Sequence, residues 1–208
     1  MMHSGVPEEI IYPRFVTATD FNLRELDSVA LTDDSGSNKW CEHPVHGSYV
    51  DIGVVEVPTT NRKGSLISVN YTFTGGQYAH TPFYPVASLL SIVGFPIRTR
   101  PTGFFPIWIQ ATVASEMEVG YTPTIKSDMG LISPCTLSAF FVDALTSEGM
   151  SGSPVFKHES NDDWTFVGIY SGRYKEDDVT LPLGLVWNRE LICETILRLV
   201  YPQQFAGS

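Results

Sequence analysis

Short apolar runs separated by turns restrict this chain to a fold built mainly from β-strands. Its 208 residues include 17 Gly and 14 Pro, the residues that interrupt strands and make turns. A helical repeat occurs once, near the C-terminus, behind a predicted Asn188 N-cap. Many short strands followed by one helix favour an all-β pair of antiparallel barrels over any α/β order. The inward positions predicted for that helix are Leu191, Ile192, Ile196, Leu199 and Val200.

The strand predictions follow the apolar runs along the chain. Residues 21–28 are predicted to be a loop or a helical turn, and residues 29–41 a hairpin with a polar tip. The strands are predicted at residues 10–18, 49–57, 66–74, 89–94, 105–117, 140–144, 164–171 and 183–186.

Charge and composition exclude several classes of partner. The net charge of -10 opposes binding to nucleic acid or to an anionic membrane. The three cysteines, Cys41, Cys135 and Cys193, are an odd number at unrelated spacings and indicate no disulfide framework. The chain shows no signal peptide at its start and no apolar run long enough for a membrane helix, so a cytoplasmic protein is expected.

Residues 149–156, with the sequence GMSGSPVF, are typical of a turn that exposes a nucleophilic serine. Acyl transfer needs an exposed hydroxyl, a tight backbone turn and N–H groups aimed at the developing oxyanion. Gly149 permits such a turn two residues before Ser151, and Pro154 leads the chain into an apolar strand. Ser151 is thus the predicted nucleophile, with the N–H groups of Gly149 and Ser151 as the oxyanion hole. An ordinary Gly/Ser/Pro turn between two strands explains the same octapeptide.

Asp51 is the second informative residue, because it stands among apolar neighbours in residues 49–57. A carboxylate in that setting is costly unless it is paired or hydrogen-bonded. Two interpretations remain open: Asp51 bonds nearby backbone at the start of a strand, or it orients a catalytic histidine.

The order of Asp51, Ser151 and the segment 167–172 (VGIYSG) resembles the trypsin-like serine peptidases of the chymotrypsin fold, in particular a bacterial, intracellular branch. The two residues lie about 100 positions apart, close to the spacing of that family's triad. The resemblance covers roughly residues 40–200 and also includes residues 40–47 (WCEHPVHG), 93–96, 105–108 and 142–144. It implies two packed antiparallel β-barrels, with residues 1–85 as an incomplete N-terminal half and 86–208 as the C-terminal half plus helix.

The histidine of the triad is the point at which the sequence departs from the family. His3 has a fitting distance from Asp51, but too few residues precede it to supply the strands of a first barrel. His43 and His46 are too close to Asp51, in a loop that contains a proline. Residues 16–20 resemble the strand end that carries the family's histidine, with Asp20 in its place. The preferred expectation is that the chain begins downstream of the family's usual start, while His3 and a pseudopeptidase stay as alternatives.

The resemblance also assigns a substrate pocket and predicts its preference. Tyr170, Ser171 and Gly172 are expected to bind the substrate, and Leu145 is expected to form the pocket floor six residues before the nucleophile. A buried leucine cannot compensate a cation, so an uncharged P1 side chain is expected, with poor cleavage after Lys or Arg. If the alignment shifted by two residues, Asp143 would lie at the pocket floor, and an acid there would select Lys or Arg instead.

Other patterns in the sequence carry less weight. Cys41, His43 and His46 lack the second ligand pair of a structural zinc site, so no metal or cofactor is predicted. The α/β-hydrolase elbow is rejected, because that motif requires Gly where Ser153 stands. The expected partner is a peptide or protein substrate, and an incompletely covered strand edge predicts a homodimer. The second functional hypothesis is a non-catalytic domain that binds peptides through strand 170–172.

Overall fold

The computed structural model describes residues 9–17, 20–56, 82–97, 106–123, 125–127, 130–132, 135–159, 164–176 and 179–205. In the N-terminal part, β1 (Glu9–Thr17) pairs with β2 (Asp20–Ala30), and β3 (Trp40–Cys41) pairs with β4 (Val54–Val55). The predicted strand at 10–18 is confirmed, whereas the loop or helical turn predicted at 21–28 is wrong. Those residues belong to β2, which pairs along almost the whole of β1.

The hairpin predicted at residues 29–41 is confirmed by its closing contacts. Thr32 bridges Asn38, and the Lys39 N–H donates to the Leu31 carbonyl. The Asp33 carboxylate holds the polar tip by accepting hydrogen bonds from the backbone of Ser35 and Ser37.

Six strands close an antiparallel barrel in the C-terminal part of the chain. The barrel strands are β5 (Leu89–Gly94), β6 (Ile107–Val113), β9 (Ala139–Asp143), β10 (Ser153–His158), β11 (Trp164–Glu176) and β12 (Val179–Asn188). Their order around the barrel is β10, β11, β12, β9, β6, β5, and a small hairpin, β7 (Ile125–Ser127) with β8 (Gly130–Ile132), lies outside it. The predicted all-β class is thereby confirmed, with a closed barrel, further sheets and a C-terminal helix, and it is consistent with a chymotrypsin-like fold.

Several strand lengths differ from the prediction. The strand expected at 49–57 is reduced to the two residues of β4, while β11 and β12 extend well beyond their predicted runs. The long strands continue because each pairs with the other through polar residues that an apolar pattern does not mark. The strand predicted at 66–74 lies outside the described residues, and the division at residue 85 stays a prediction.

The two faces of the barrel strands build two apolar clusters. Ile92, Phe140 and Val186 belong to the cluster inside the barrel, and Phe166 and Trp187 to a second cluster on the opposite face. Successive side chains of a strand point to opposite faces, so both clusters follow from the strand period.

The helix α1 (Arg189–Val200) covers the second cluster. Leu191 and Ile192 are buried there together with Val50 and Ile52, and the helix also contacts β3 and β4. The predicted inward position of Val200 is wrong, since it is exposed at the last turn. Asn188 is the N-cap, but its amide donates to the Ser138 hydroxyl and makes no capping bond. No helix in the described part of the chain is long and apolar enough to cross a membrane.

Gly184 of β12 is a close-approach position that allows a direct test of the barrel packing. A methyl group added there would lie 2.2 Å from a ring carbon of the buried Tyr170. We therefore expect Gly184→Ala to lower the free energy of unfolding by about 1–3 kcal/mol, the usual cost of overpacking. Gly53→Ala is the matched control, because its added methyl group meets Trp40 at an ordinary 3.5 Å. Equal denaturation midpoints for the two variants would contradict this packing.

Candidate functional site

The turn at residues 149–153 presents Ser151 to solvent above a buried anchor. Met150 is fully buried in the barrel core, and its N–H donates to the Ser147 carbonyl. Gly152 is tied to β11 by a 2.8 Å bond from its N–H to the Tyr170 carbonyl. With its neighbours held in this way, the side chain of Ser151 stands exposed at the tip, as the sequence predicted for a nucleophile.

Gly149 is required by both space and backbone conformation. Its φ is +91°, and a methyl group added there would lie 2.6 Å from the Ile97 side chain and 2.8 Å from the Ile97 nitrogen. The close approach lets the Ile97 N–H donate to the Glu148 carbonyl at 2.9 Å. Because the C=O and N–H of a trans peptide point in opposite directions, this bond turns the Gly149 N–H away from Ile97.

The N–H groups of Gly149 and Ser151 are the two open donors of the turn. Within the described residues, neither has a backbone acceptor, whereas those of Met150, Gly152 and Ser153 all have one. Two N–H groups left unpaired beside an exposed serine hydroxyl form the donor pair that an oxyanion needs.

A chain of two hydrogen bonds joins Ser151 to Asp51 through Ser171. The Ser151 hydroxyl donates to the Ser171 carbonyl, and the Ser171 hydroxyl donates to the Asp51 carboxylate at 2.9 Å. The structure therefore brings together three residues that the sequence analysis had placed in one site, over a separation of 120 positions between Asp51 and Ser171.

Asp51 reaches this place because its neighbours on both sides are buried. Val50 and Ile52 pack into the cluster under α1, while Asp51 between them is exposed. Asp51 is exposed and hydrogen-bonded to Ser171, so the expected cost of a carboxylate among apolar residues does not arise.

No histidine of the described residues touches Ser151 or Asp51. His43 and His46 stack on each other beside the helix, as expected for residues that do not form the triad. His158 packs against Trp164 on the far side of β10. His3 lies outside the described residues, and Asp20 pairs with Thr17 at the β1–β2 turn.

His43 is a structural residue that is held in its neutral form. It is 0% exposed, and its Nε2 lies 2.7 Å from Glu194 Oε2 of α1. Its Nδ1 accepts from the backbone N–H groups of Val45 and His46, so Nε2 carries the proton and donates to Glu194. Burial lowers the pKa of His43, and the bond to Glu194 only partly opposes that shift.

The lowered pKa of His43 predicts that the folded protein is less stable in mild acid than at neutral pH. Below about pH 6.5 the unfolded chain binds a proton at this residue while the folded chain does not. Above that pH, His43 is neutral in both states and the folded protein keeps its full stability. As the pH falls toward the lowered pKa of the folded state, protonation of the unfolded chain reduces the free energy of unfolding. We expect the melting temperature to decrease from pH 7 to pH 5, and His43→Asn, which keeps an acceptor near Nδ1, to reduce this slope. His158→Asn serves as the control, and an unchanged slope in His43→Asn would refute the assignment.

A cavity of about 510 Å³ opens beside Ser151. Its wall includes Gly149, Ser151, Tyr170 and Gly172, four of the residues that the sequence analysis assigned to the oxyanion hole or to the substrate. Ser171 is not part of this lining and instead connects the serine to Asp51.

The predicted pocket floor, Leu145, is wrong. It is 89% exposed and does not line the cavity, whereas Thr146 is buried and does. The strand period continues past the end of β9, so the side chains alternate and Leu145 points outward like Asp143. Asp143 is likewise outside the lining, so the challenge it posed to the predicted preference is removed.

Polar groups, which the sequence analysis missed, form much of the cavity. The buried Thr146 hydroxyl lies 2.6 Å from the Tyr170 hydroxyl, and the Arg173 guanidinium donates to the Thr146 carbonyl. Burial raises the pKa of Tyr170, which keeps its hydroxyl protonated. Counting inward and outward positions from β9 would have identified Thr146, while Arg173 carries no sequence signal of its own.

One side of β11 beyond the cavity lacks a partner strand within the part of the chain that the structure describes. Ser153, the first residue of β10, pairs with Tyr170, so residues 171–176 pair only with β12 among the described strands. An edge with free backbone groups next to a side-chain cavity can bind an extended peptide by strand addition.

Comparisons with known proteins give structural likeness only. No protein-family model matches the chain, and no curated protein matches it. The chain is similar to the crystal structure of the Rv3671c protease in its inactive form, with a TM-score of 0.45 and 13% sequence identity. The alignment covers 93% of this chain and 80% of that chain. The active form of that protease, from M. tuberculosis, gives the same TM-score and identity over 93% and 70% of the two chains. Likeness at this level does not decide what the site does, so its function is inferred from the geometry.

Proposed function

We propose that this chain is a serine endopeptidase domain that cleaves peptide bonds through an acyl-enzyme on Ser151. The observation that supports the proposal is the combination, around one exposed hydroxyl, of two unpaired N–H groups and a link to a carboxylate. An ordinary turn between strands requires none of these features.

The proposed reaction uses these groups together with an imidazole as general base. The Ser151 oxygen attacks the scissile carbonyl carbon, an imidazole takes the hydroxyl proton, and the resulting oxyanion accepts from the Gly149 and Ser151 N–H groups. Collapse of this intermediate breaks the C–N bond, and the imidazolium donates its proton to the departing amine. A water molecule, activated by the same imidazole, then hydrolyses the ester and restores the serine.

The general base would lie outside the described residues, and His3 is the alternative that this sequence itself offers. Asp51 would orient the base and stabilise its protonated form, with the Ser171 hydroxyl fixing the carboxylate. The substrate backbone would add to the open edge of β11, next to the cavity that receives the P1 side chain.

A second candidate is a non-catalytic domain that binds peptides. The observation that favours it is the acceptor of the Ser151 hydroxyl, which is a backbone carbonyl that cannot take a proton. Such a domain would keep the strand edge and the cavity but would lack a reactive serine.

A fluorophosphonate probe separates the two candidates, because it modifies only an activated serine. For the peptidase, we expect intact protein to gain one adduct, which peptide mass mapping places on Ser151. Ser151→Ala should abolish the adduct, and the control Ser153→Ala, which removes the neighbouring buried hydroxyl, should retain it. Absence of labelling in the wild-type protein would favour the non-catalytic domain.

The role of Asp51 is tested by the rate of the same labelling. We expect Asp51→Asn to slow the reaction by orders of magnitude, because a neutral amide neither orients an imidazole correctly nor stabilises its charge. Asp143→Asn removes an equal charge from an exposed position outside the cavity and should leave the rate unchanged. Equal rates for wild type and Asp51→Asn would show that the carboxylate has no part in the site.

A further inference from the structure

We infer that the cavity beside Ser151 selects an acidic P1 side chain, Glu or Asp, and that Arg173 is its specificity-determining residue. The inference rests on the proposed function in one respect, namely that the occupant is a peptide whose P1 residue lies next to Ser151. It requires no cleavage, so it applies equally to a domain that only binds.

Arg173 supplies a positive charge at the wall of the cavity. Its guanidinium lines the cavity and is oriented by the bond to the Thr146 carbonyl. Among the described residues that carbonyl is its one hydrogen-bond acceptor, so four of the five N–H groups of a guanidinium remain for a ligand. A planar guanidinium is the side chain best suited to hold a carboxylate by two parallel hydrogen bonds.

Two hydroxyl groups supply the remaining recognition. Thr146 and Tyr170 are both about 1% exposed, and their hydroxyls are bonded to each other on the wall of the cavity. In such a pair one hydroxyl donates to the other, and the remaining O–H can donate to a ligand oxygen. Because the Tyr170 pKa is raised, the phenol stays neutral and does not repel an anion.

Glu148 is the other charged residue of the lining, and it opposes an anionic ligand. Its backbone carbonyl accepts from the Ile97 N–H, in the loop directly before Gly149. The same carboxylate would favour a cationic side chain, so the preference depends on which charge lies nearer to P1. The hydroxyl pair adjoins Arg173 through Thr146, and this favours the acidic ligand.

This inference replaces the uncharged preference that the sequence predicted from Leu145. That prediction assumed an apolar floor, but the lining contains Thr146, the Tyr170 hydroxyl and a guanidinium. An apolar P1 side chain would offer no acceptor to the remaining hydroxyl proton and guanidinium N–H groups and would displace their water, which costs binding free energy. The expected poor acceptance of Lys and Arg is retained for a different reason, repulsion by Arg173.

The test measures binding with the nucleophile removed. Three pools of fluorescein-labelled peptides, identical except for a central Glu, Gln or Lys, are titrated against Ser151→Ala protein and followed by fluorescence anisotropy. We expect the Glu pool to bind about tenfold or more tightly than the Lys pool, with Gln between them. Since Arg173 is exposed, the difference should decrease as salt is added.

Variants of the charged residues test which side chain causes the preference among the three peptide pools. In the Ser151→Ala background, Arg173→Gln should remove the advantage of Glu over Gln, and Glu148→Gln should increase it. Lys39→Gln is the matched control, since it removes one exposed cation in the N-terminal hairpin, away from the cavity, and should change nothing.

The outcomes separate this inference from the proposed function. Equal binding of the three pools, no binding of any pool, tightest binding of Lys, or an unchanged preference in Arg173→Gln would each overturn the acidic pocket. Labelling of wild-type Ser151 by fluorophosphonate would leave the peptidase proposal standing in each of those cases. Conversely, a Glu preference that depends on Arg173, found together with an unreactive serine, would support the pocket and exclude the peptidase.

Discussion

The packing of residues 50–52 against the terminal helix is the constraint on which the candidate site depends. Val50 and Ile52 are buried with Leu191 and Ile192, and each such side chain contributes about 1.5–3 kcal/mol of hydrophobic free energy. The residue between them, Asp51, is exposed, and its carboxylate accepts from the Ser171 hydroxyl. The helix thus positions a carboxylate that lies more than a hundred residues away in the sequence, without touching the site itself. His43 strengthens the same contact, because its ring joins the loop before Asp51 to Glu194 of α1.

The second half of the site is a property of backbone orientation. The bond from Ile97 to the Glu148 carbonyl determines which way the following peptide faces, and the absence of a side chain at Gly149 allows that bond to form. The N–H groups flanking Met150 are left as donors because the buried methionine prevents the turn from relaxing. Donors held in advance in this way need no reorganisation when charge develops on a substrate, which is the physical basis of an oxyanion hole.

The cavity combines a position that the barrel sets with a polarity that individual side chains set. Its position beside the serine turn follows from the barrel, whose strands bring β9, β11 and the 146–149 loop to one place. Its polarity follows from two details, the inward side chain of Thr146 and the guanidinium of Arg173 that is bonded to the Thr146 carbonyl. The inward position of Thr146 follows from the alternation of buried and exposed residues after β9, whereas the place of Arg173 depends on its bond to a residue distant in the sequence.

The sequence alone predicted the class of fold and the exposed serine turn, and it singled out Asp51, because each of these rests on local patterns. Turn residues, strand-length runs and a carboxylate between apolar side chains act over a few positions, and their consequences can be read along the chain. The tertiary structure alone decided the rest: that β11 and β12 run on as long partners, that Leu145 faces solvent, and that Arg173 enters the cavity. These features depend on pairing and packing between segments distant in sequence, which local propensity does not encode.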